Sequence, residues 1–116
     1  GPELHEECLR LGGCEVGQSK VTRGYDLPVK WVVHTVGPMW KGGDNGERQL
    51  LESCYQTAME AADSLSAGSI AFPLISTGAY GYPSDEGYEV AVESIQRALN
   101  KTTYTNTAFL CLLKPR

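Results

Sequence analysis

A chain of 116 residues with 41% hydrophobic and 21% charged positions has room for one folded domain and no more. Its net charge of −4, with 10 Lys and Arg residues scattered along the chain, excludes a grip on the phosphate backbone of DNA or RNA, which needs clustered cations. No apolar run reaches the roughly 18 residues of a membrane span and no charged-then-apolar leader opens the chain, so a soluble, cytoplasmic protein with neither membrane nor nucleic-acid partners is expected.

Residues 2–11 read as a helix that opens with Pro2 in its first turn and stops at Gly12-Gly13. Residues 19–25 alternate weakly and residues 30–36 are strongly apolar, which predicts two strands joined by a turn at Asp26-Leu27-Pro28. A loop follows from Trp40 through Gly46, and Asp44 with Glu47 makes a capping box for a second helix. The apolar positions of that helix, Leu51, Cys54, Ala58, Ala61, Ala62 and Leu65, recur at helical spacing, and Gly68 is the expected stop. Residues 70–75 are short, β-branched and aromatic, as a buried strand should be. Beyond Pro83 a serine N-cap, Ser84, and the acids Asp85 and Glu86 start a third helix with an apolar stripe of Tyr88, Ala91, Val92, Ile95, Ala98 and Leu99. Residues 108–113 form a closing strand. Strands separated by helices make crossover units, so the expected fold is a three-layer α/β/α sandwich with a mixed sheet, in one domain over residues 1–116.

Cys8, Cys14, Cys54 and Cys111 are irregularly spaced and contain no Cys-x-x-Cys pair, so they read as free thiols rather than a disulfide framework. His5, Cys8 and Cys14 could offer three zinc ligands where a structural site wants four, and no metal or cofactor is assigned. No partner base marks any cysteine as a nucleophile, and no catalytic residue is named. His34 lies among valines inside a strand, where packing or hydrogen bonding outweighs chemistry. Trp31 reads as core and Trp40 as a loop anchor.

The most informative stretch is Ile70-Ala71-Phe72-Pro73-Leu74-Ile75-Ser76-Thr77-Gly78-Ala79-Tyr80-Gly81-Tyr82-Pro83, where an apolar strand ends in a small-residue loop and a helix follows. A loop between strand end and helix start can aim several backbone N–H groups at one point, where the helix dipole also favours negative charge. Gly78 and Gly81 suit it because a residue without Cβ lets backbone approach a ligand and permits φ > 0. Ser76, Thr77, Gly78, Ala79, Tyr80 and Gly81 are therefore the candidate ligand-binding residues, with a phosphate or diphosphate as the guest. The same residue types also build ordinary turns that bind nothing.

The order of those residues closely resembles the second phosphate-binding loop of macro domains, the ADP-ribose-binding modules. Three further stretches resemble the same family in the same sequential order: Gly1-Pro2-Glu3-Leu4-His5-Glu6-Glu7-Cys8 with the run from Gly12 to Thr22, then Gly24-Tyr25-Asp26-Leu27-Pro28 leading into Trp31-Val32-Val33-His34-Thr35-Val36-Gly37-Pro38, and Cys54-Tyr55 on the central helix. The resemblance implies an ADP-ribose or derivative ligand, backbone N–H groups of the loop around its diphosphate, the Thr77 hydroxyl beside them, and Tyr80 against the distal ribose. It also implies relatives that hydrolyse ADP-ribose esters, and a hydrolase is the alternative function; a non-binding assembly remnant is a further one.

Family members ordinarily open with a strand and a Gly-Asp-Ile/Val-Thr string, then a central Val-Asn-Ala-Ala-Asn strand and a first phosphate loop. Nothing in this sequence matches those parts, so the expected domain lacks the family's first strand and a central strand, and its N-terminal portion. Hydrolysis in such relatives uses the absent parts, which makes binding the stronger expectation for this chain alone. Without the central strand, residues 30–36 and 70–75 would present unpaired edges to each other, each buried unsatisfied group costing about 1–3 kcal/mol. The two strands close directly on each other, or a second copy, another chain or a longer version of this one supplies a strand; homodimerisation or strand exchange would complete the sheet.

Overall fold

The structure is a computed structural model that describes residues 14–24 and 30–112. The helix expected at residues 2–11, its Gly12-Gly13 stop, the turn at Asp26-Leu27-Pro28, His5 and Cys8 lie outside the described residues. In chain order the elements are β1 (Ser19–Arg23), β2 (Trp31–Thr35), α1 (Glu47–Ser64), β3 (Ser69–Pro73), α2 (Ser84–Leu99) and β4 (Thr107–Cys111). The alternation of strand and helix read from the sequence is present, with boundaries displaced by a residue or two.

The strands form two separate pairs. β1 and β2 are antiparallel, with Val21 opposite Val33 and Arg23 opposite Trp31. β3 and β4 are parallel, with Ile70 beside Ala108 and Phe72 beside Leu110. The crossover from β3 to β4 runs through α2, as parallel neighbours require. The strands thus have both directions of a mixed sheet, divided between the two pairs. β2 and β3 do not close on each other, so direct closure of the two flanking strands is not the resolution this molecule adopts.

α1 packs along β1, β2 and β3 and against α2. Its buried positions Leu51, Cys54, Tyr55, Ala58, Met59 and Ala62 fall at helical spacing, and with Phe72, Tyr82, Val90 and Ala91 they make the core. The predicted stripe holds at Leu51, Cys54, Ala58 and Ala62 and is widened by Tyr55 and Met59, whereas Ala61 and Leu65 are only half-buried, Leu65 as the C-cap. In α2 it is turned: Gly87, Val90, Ala91, Ser94, Ile95 and Ala98 are buried, Val92 and Leu99 are half-buried, and Tyr88 is 47% exposed. The polar Ser94 also sits inward, its Oγ without a hydrogen-bond partner among the described residues.

Both helix starts depart from the sequence reading. α1 has Gly46 at its N-cap with no side-chain cap, and Glu47 turns back to the preceding loop instead of serving a capping box with Asp44. α2 has Pro83 at its N-cap, and Ser84 lies inside the first turn. The end of α1 comes before Gly68. Ser66 adopts φ 57° and donates its N–H to Asp63 O while Ala67 N–H reaches Ala62 O, a Schellman closure in which serine takes the place glycine usually fills. Trp31 is 41% exposed rather than core, because no described element covers its side of β2. His34 is half-buried, and its Nε2 lies 2.8 Å from Oγ1 of the buried Thr22, a hydrogen-bonding role. Among the described residues no helix is long and apolar enough to cross a membrane.

Candidate functional site

Between β2 and β3 lies a groove of about 1260 Å³, floored by Ala58, Ala62 and Leu65 of α1 and walled by the two strands that do not pair. One end of it is the loop after β3: Gly78, Ala79 and Tyr80 line the groove together with Ser76 and with Gly37 beyond β2. The structure thus brings Ser76, Gly78, Ala79 and Tyr80 of the predicted residues to the gap left between the two strand pairs, while Thr77 and Gly81 do not line it.

The loop is built by fastening its ends. Ile75 donates its N–H to Tyr55 Oη at 3.0 Å, from a ring that is fully buried in the core. Burial pushes the Tyr55 phenol up to about 12, so the hydroxyl stays protonated and available as an acceptor across the whole physiological range. At the other end Tyr82 N–H reaches Ser76 O at 2.8 Å and Gly81 N–H reaches Gly78 O at 3.0 Å. Thr77 Oγ1 donates to Leu74 O at 3.0 Å, so its hydroxyl secures the loop internally. Trp40 N–H donates to Tyr80 O at 2.8 Å, and the Trp40 ring meets Tyr82 edge-on at 4.8 Å between centroids. Trp40 is the loop anchor its sequence position suggested.

What these bonds leave over is the central feature. The consecutive N–H groups of Ser76, Thr77, Gly78, Ala79 and Tyr80 have no acceptor among the described residues. Ser76 and Thr77 are half-buried, and Gly78, Ala79, Tyr80 and Gly81 are exposed. A Cβ placed on Gly78 would meet nothing within 4 Å, so the space in front of this residue is open. The positive φ foreseen for the glycines falls on Gly81, at 76°, and on Ser76, at 67°, rather than on Gly78. Ser76 is the less expected of the two, since a non-glycine residue reaches the left-handed region only when its surroundings enforce it. Its Oγ is moreover buried without a hydrogen-bond partner among the described residues.

The sequence reading missed what holds this loop. Tyr55 was placed on the right helix, but nothing local says that its hydroxyl meets a backbone group twenty residues away. Glu47 was assigned to a helix cap, whereas its carboxylate organises the neighbouring loop. It accepts N–H groups from Lys41 and Gly43 at 2.9 Å each and from Asn45 at 2.6 Å, and with the Lys41 bond as the largest cause it is held at about 2. The loop that carries Trp40 is thereby fixed against Tyr80. A glycine-rich run ahead of a buried-position glutamate was the available signal. The described cysteines Cys14, Cys54 and Cys111 are free thiols; Cys54 is buried and donates to Val36 O at 3.3 Å, whereas Cys111, whose apolar strand context suggested packing, is exposed.

These features describe an α/β domain that carries a glycine-bearing loop with unpaired donors between its third strand and second helix. The chain belongs to the macro domain family: residues 1–91 match the Macro domain. It is 48% identical over 110 residues to a macro domain-containing protein of Methanosarcina mazei, covering 95% of this chain and 59% of that one. It is 47% identical over 102 residues to the ADP-ribose glycohydrolase MACROD2 of Xenopus laevis, covering 87% of this chain and 24% of that one. The macrodomain of Trypanosoma brucei, solved in complex with ADP-ribose, superposes with a TM-score of 0.88 at 30% identity, covering 98% of this chain and 47% of that one. The chain thus spans about three fifths of the length of its Methanosarcina relative.

Proposed function

We propose that this chain binds ADP-ribose or a related nucleotide diphosphate-ribose through Ser76, Thr77, Gly78, Ala79, Tyr80 and Gly81. The observation that carries the reading is the row of N–H groups from Ser76 to Tyr80 without acceptors among the described residues, at the end of an open groove. A diphosphate supplies the acceptors such a row lacks, and charged acceptors make the stronger hydrogen bonds. Tyr80 adds an exposed ring and hydroxyl suited to a sugar face. The ADP-ribose complex of the related trypanosomal macrodomain supports the choice of ligand. The facing edges of β2 and β3 support a further element: the groove is completed by a strand from a longer form of the chain or from a partner, a second copy included, and affinity rises when it is filled.

Calorimetry tests the reading. ADP-ribose binds the wild type and binds Gly78→Val at least about 30-fold more weakly, because the branched side chain projects into the space the phosphates use. Equal binding by both, or binding by neither, sinks the module and leaves the assembly role.

A second reading is favoured by the likeness to a named ADP-ribose glycohydrolase: once completed, the site removes ADP-ribose from an ester or protein. It predicts release of ADP-ribose from a modified protein by a chain that already binds the product. Binding without release leaves the first reading alone.

A further inference from the structure

Two glycines that lie outside the loop sit directly against it. Gly37, buried just beyond β2, faces Ser76 and Ile75 so closely that a Cβ there would overlap Ser76 Oγ and the Ile75 Cγ2 methyl. Gly87, buried in the first turn of α2, faces Thr77, whose Cγ2 would lie 2.7 Å from an added Cβ. Real Cβ atoms do not make such contacts, so the successive residues Ser76 and Thr77 each occupy the volume of a side chain that these positions lack. Glycine is the poorest helix former after proline, and Gly87 is therefore unfavourable for α2 itself. Its contact with Thr77 gives it a reason.

We propose that Gly37 and Gly87 are positioning residues of the diphosphate loop. Gripping Ser76 from the β2 side and Thr77 from the α2 side, they hold Ser76 in the left-handed conformation and set the aim of the N–H row that follows. The observations join here: a non-glycine residue at φ 67°, a buried hydroxyl with no hydrogen-bond partner among the described residues, and a close backbone approach at the same residue. Strain of this kind persists when the packing around it is over-determined. The inference rests on the binding function proposed above and names what tunes it.

Gly87→Ala separates positioning from folding, since alanine favours the helix while displacing Thr77. The expected result is an unchanged or raised thermal midpoint with ADP-ribose affinity lowered about 10-fold or more. Adding Thr77→Ser removes Cγ2 and keeps the hydroxyl that donates to Leu74 O, and affinity returns to within about 3-fold of wild type. Gly37→Ala weakens binding at least as much, and pairing it with Ser76→Gly recovers part of the loss. Wild-type affinity in Gly87→Ala, failure of Thr77→Ser to restore it, or affinity lost only in proportion to stability overturns the proposal. Amide spectra keep it distinct from the binding reading. If wild type itself binds no ADP-ribose, the function falls, and seating is judged by the Gly78, Ala79 and Tyr80 amide shifts. They move in Gly87→Ala and return with Thr77→Ser if the grip is real, and stay put if it is not.

Discussion

Two loops in this molecule face the same problem and solve it in opposite ways. The loop from Trp40 to Gly46 presents backbone N–H groups of Lys41, Gly43 and Asn45, and the chain supplies its own anion: Glu47, 2% exposed, accepts all of them. The loop from Ser76 to Gly81 presents a longer row and, among the described residues, receives no carboxylate. A third case shows that the first is the rule here, for Asp63 near the end of α1 accepts the N–H groups of Thr103, Tyr104 and Thr105, with Thr105 the largest cause of its lowered pKa. α1 thus puts a carboxylate at each end to fill the donors of a neighbouring loop, and leaves the donors after β3 open. Two donor sets are filled from within and, among the described residues, a third has no acceptor beside a groove, which is the ground for proposing an external acceptor there.

Substitutions in the two loops separate an open donor row from a filled one. The largest effect is expected at the open loop: Gly78→Val removes most ADP-ribose binding, about 2 kcal/mol or more by calorimetry, while the fold persists because nothing lies within 4 Å of the new Cβ. Next is the support of that loop. Tyr55→Phe deprives Ile75 N–H of its acceptor, and stability measured by urea denaturation falls by about 1–3 kcal/mol.

The filled loop is probed by acid. Glu47 ionises in the folded state at about 2 against an ordinary 4.5, a lowered value. Its ionised form therefore contributes stability that is full above about pH 4.5 and is lost as pH falls through about 2. Glu47→Gln lowers stability at neutral pH and flattens the acid limb over that window, followed by far-UV circular dichroism. An unchanged acid limb would show that the carboxylate does not fill the loop. The smallest effect is expected at the surface pairs Arg48–Glu93 and Arg97–Glu52, at 2.9 and 2.8 Å, which link α1 to α2. Arg97→Ala changes stability by no more than about 1 kcal/mol and leaves ADP-ribose affinity untouched.

Much of the fold was legible in local pattern. Leu51, Cys54, Ala58 and Ala62 mark the buried face of α1 because helical spacing and burial coincide there, and strand–helix alternation placed every described element. The loop after β3 was legible as a glycine-bearing turn between a strand and a helix, although the same residue types also build turns that bind nothing. What escaped depends on contacts between distant residues. Tyr88 matched the stripe of α2 yet faces out, because the contact with α1 selects Val90 and Ser94. Trp31 looked like core, but whether its side of β2 is covered cannot be read from its neighbours in sequence. Glu47 satisfied a capping pattern and serves loop donors instead. Gly37 and Gly87 stand near the loop only in space, so no local signal tied them to it.

On the proposed function the Ser76 to Tyr80 donors await an external diphosphate, while the Lys41 to Asn45 donors are filled by Glu47. Titration of ¹⁵N-labelled protein with ADP-ribose tests both halves in one spectrum. The predicted result is saturable shifts concentrated on the amides of Thr77, Gly78, Ala79 and Tyr80, with those of Lys41, Gly43 and Asn45 in place. Shifts centred on the Glu47 loop, or none at residues 76–80 at saturating ligand, would contradict it.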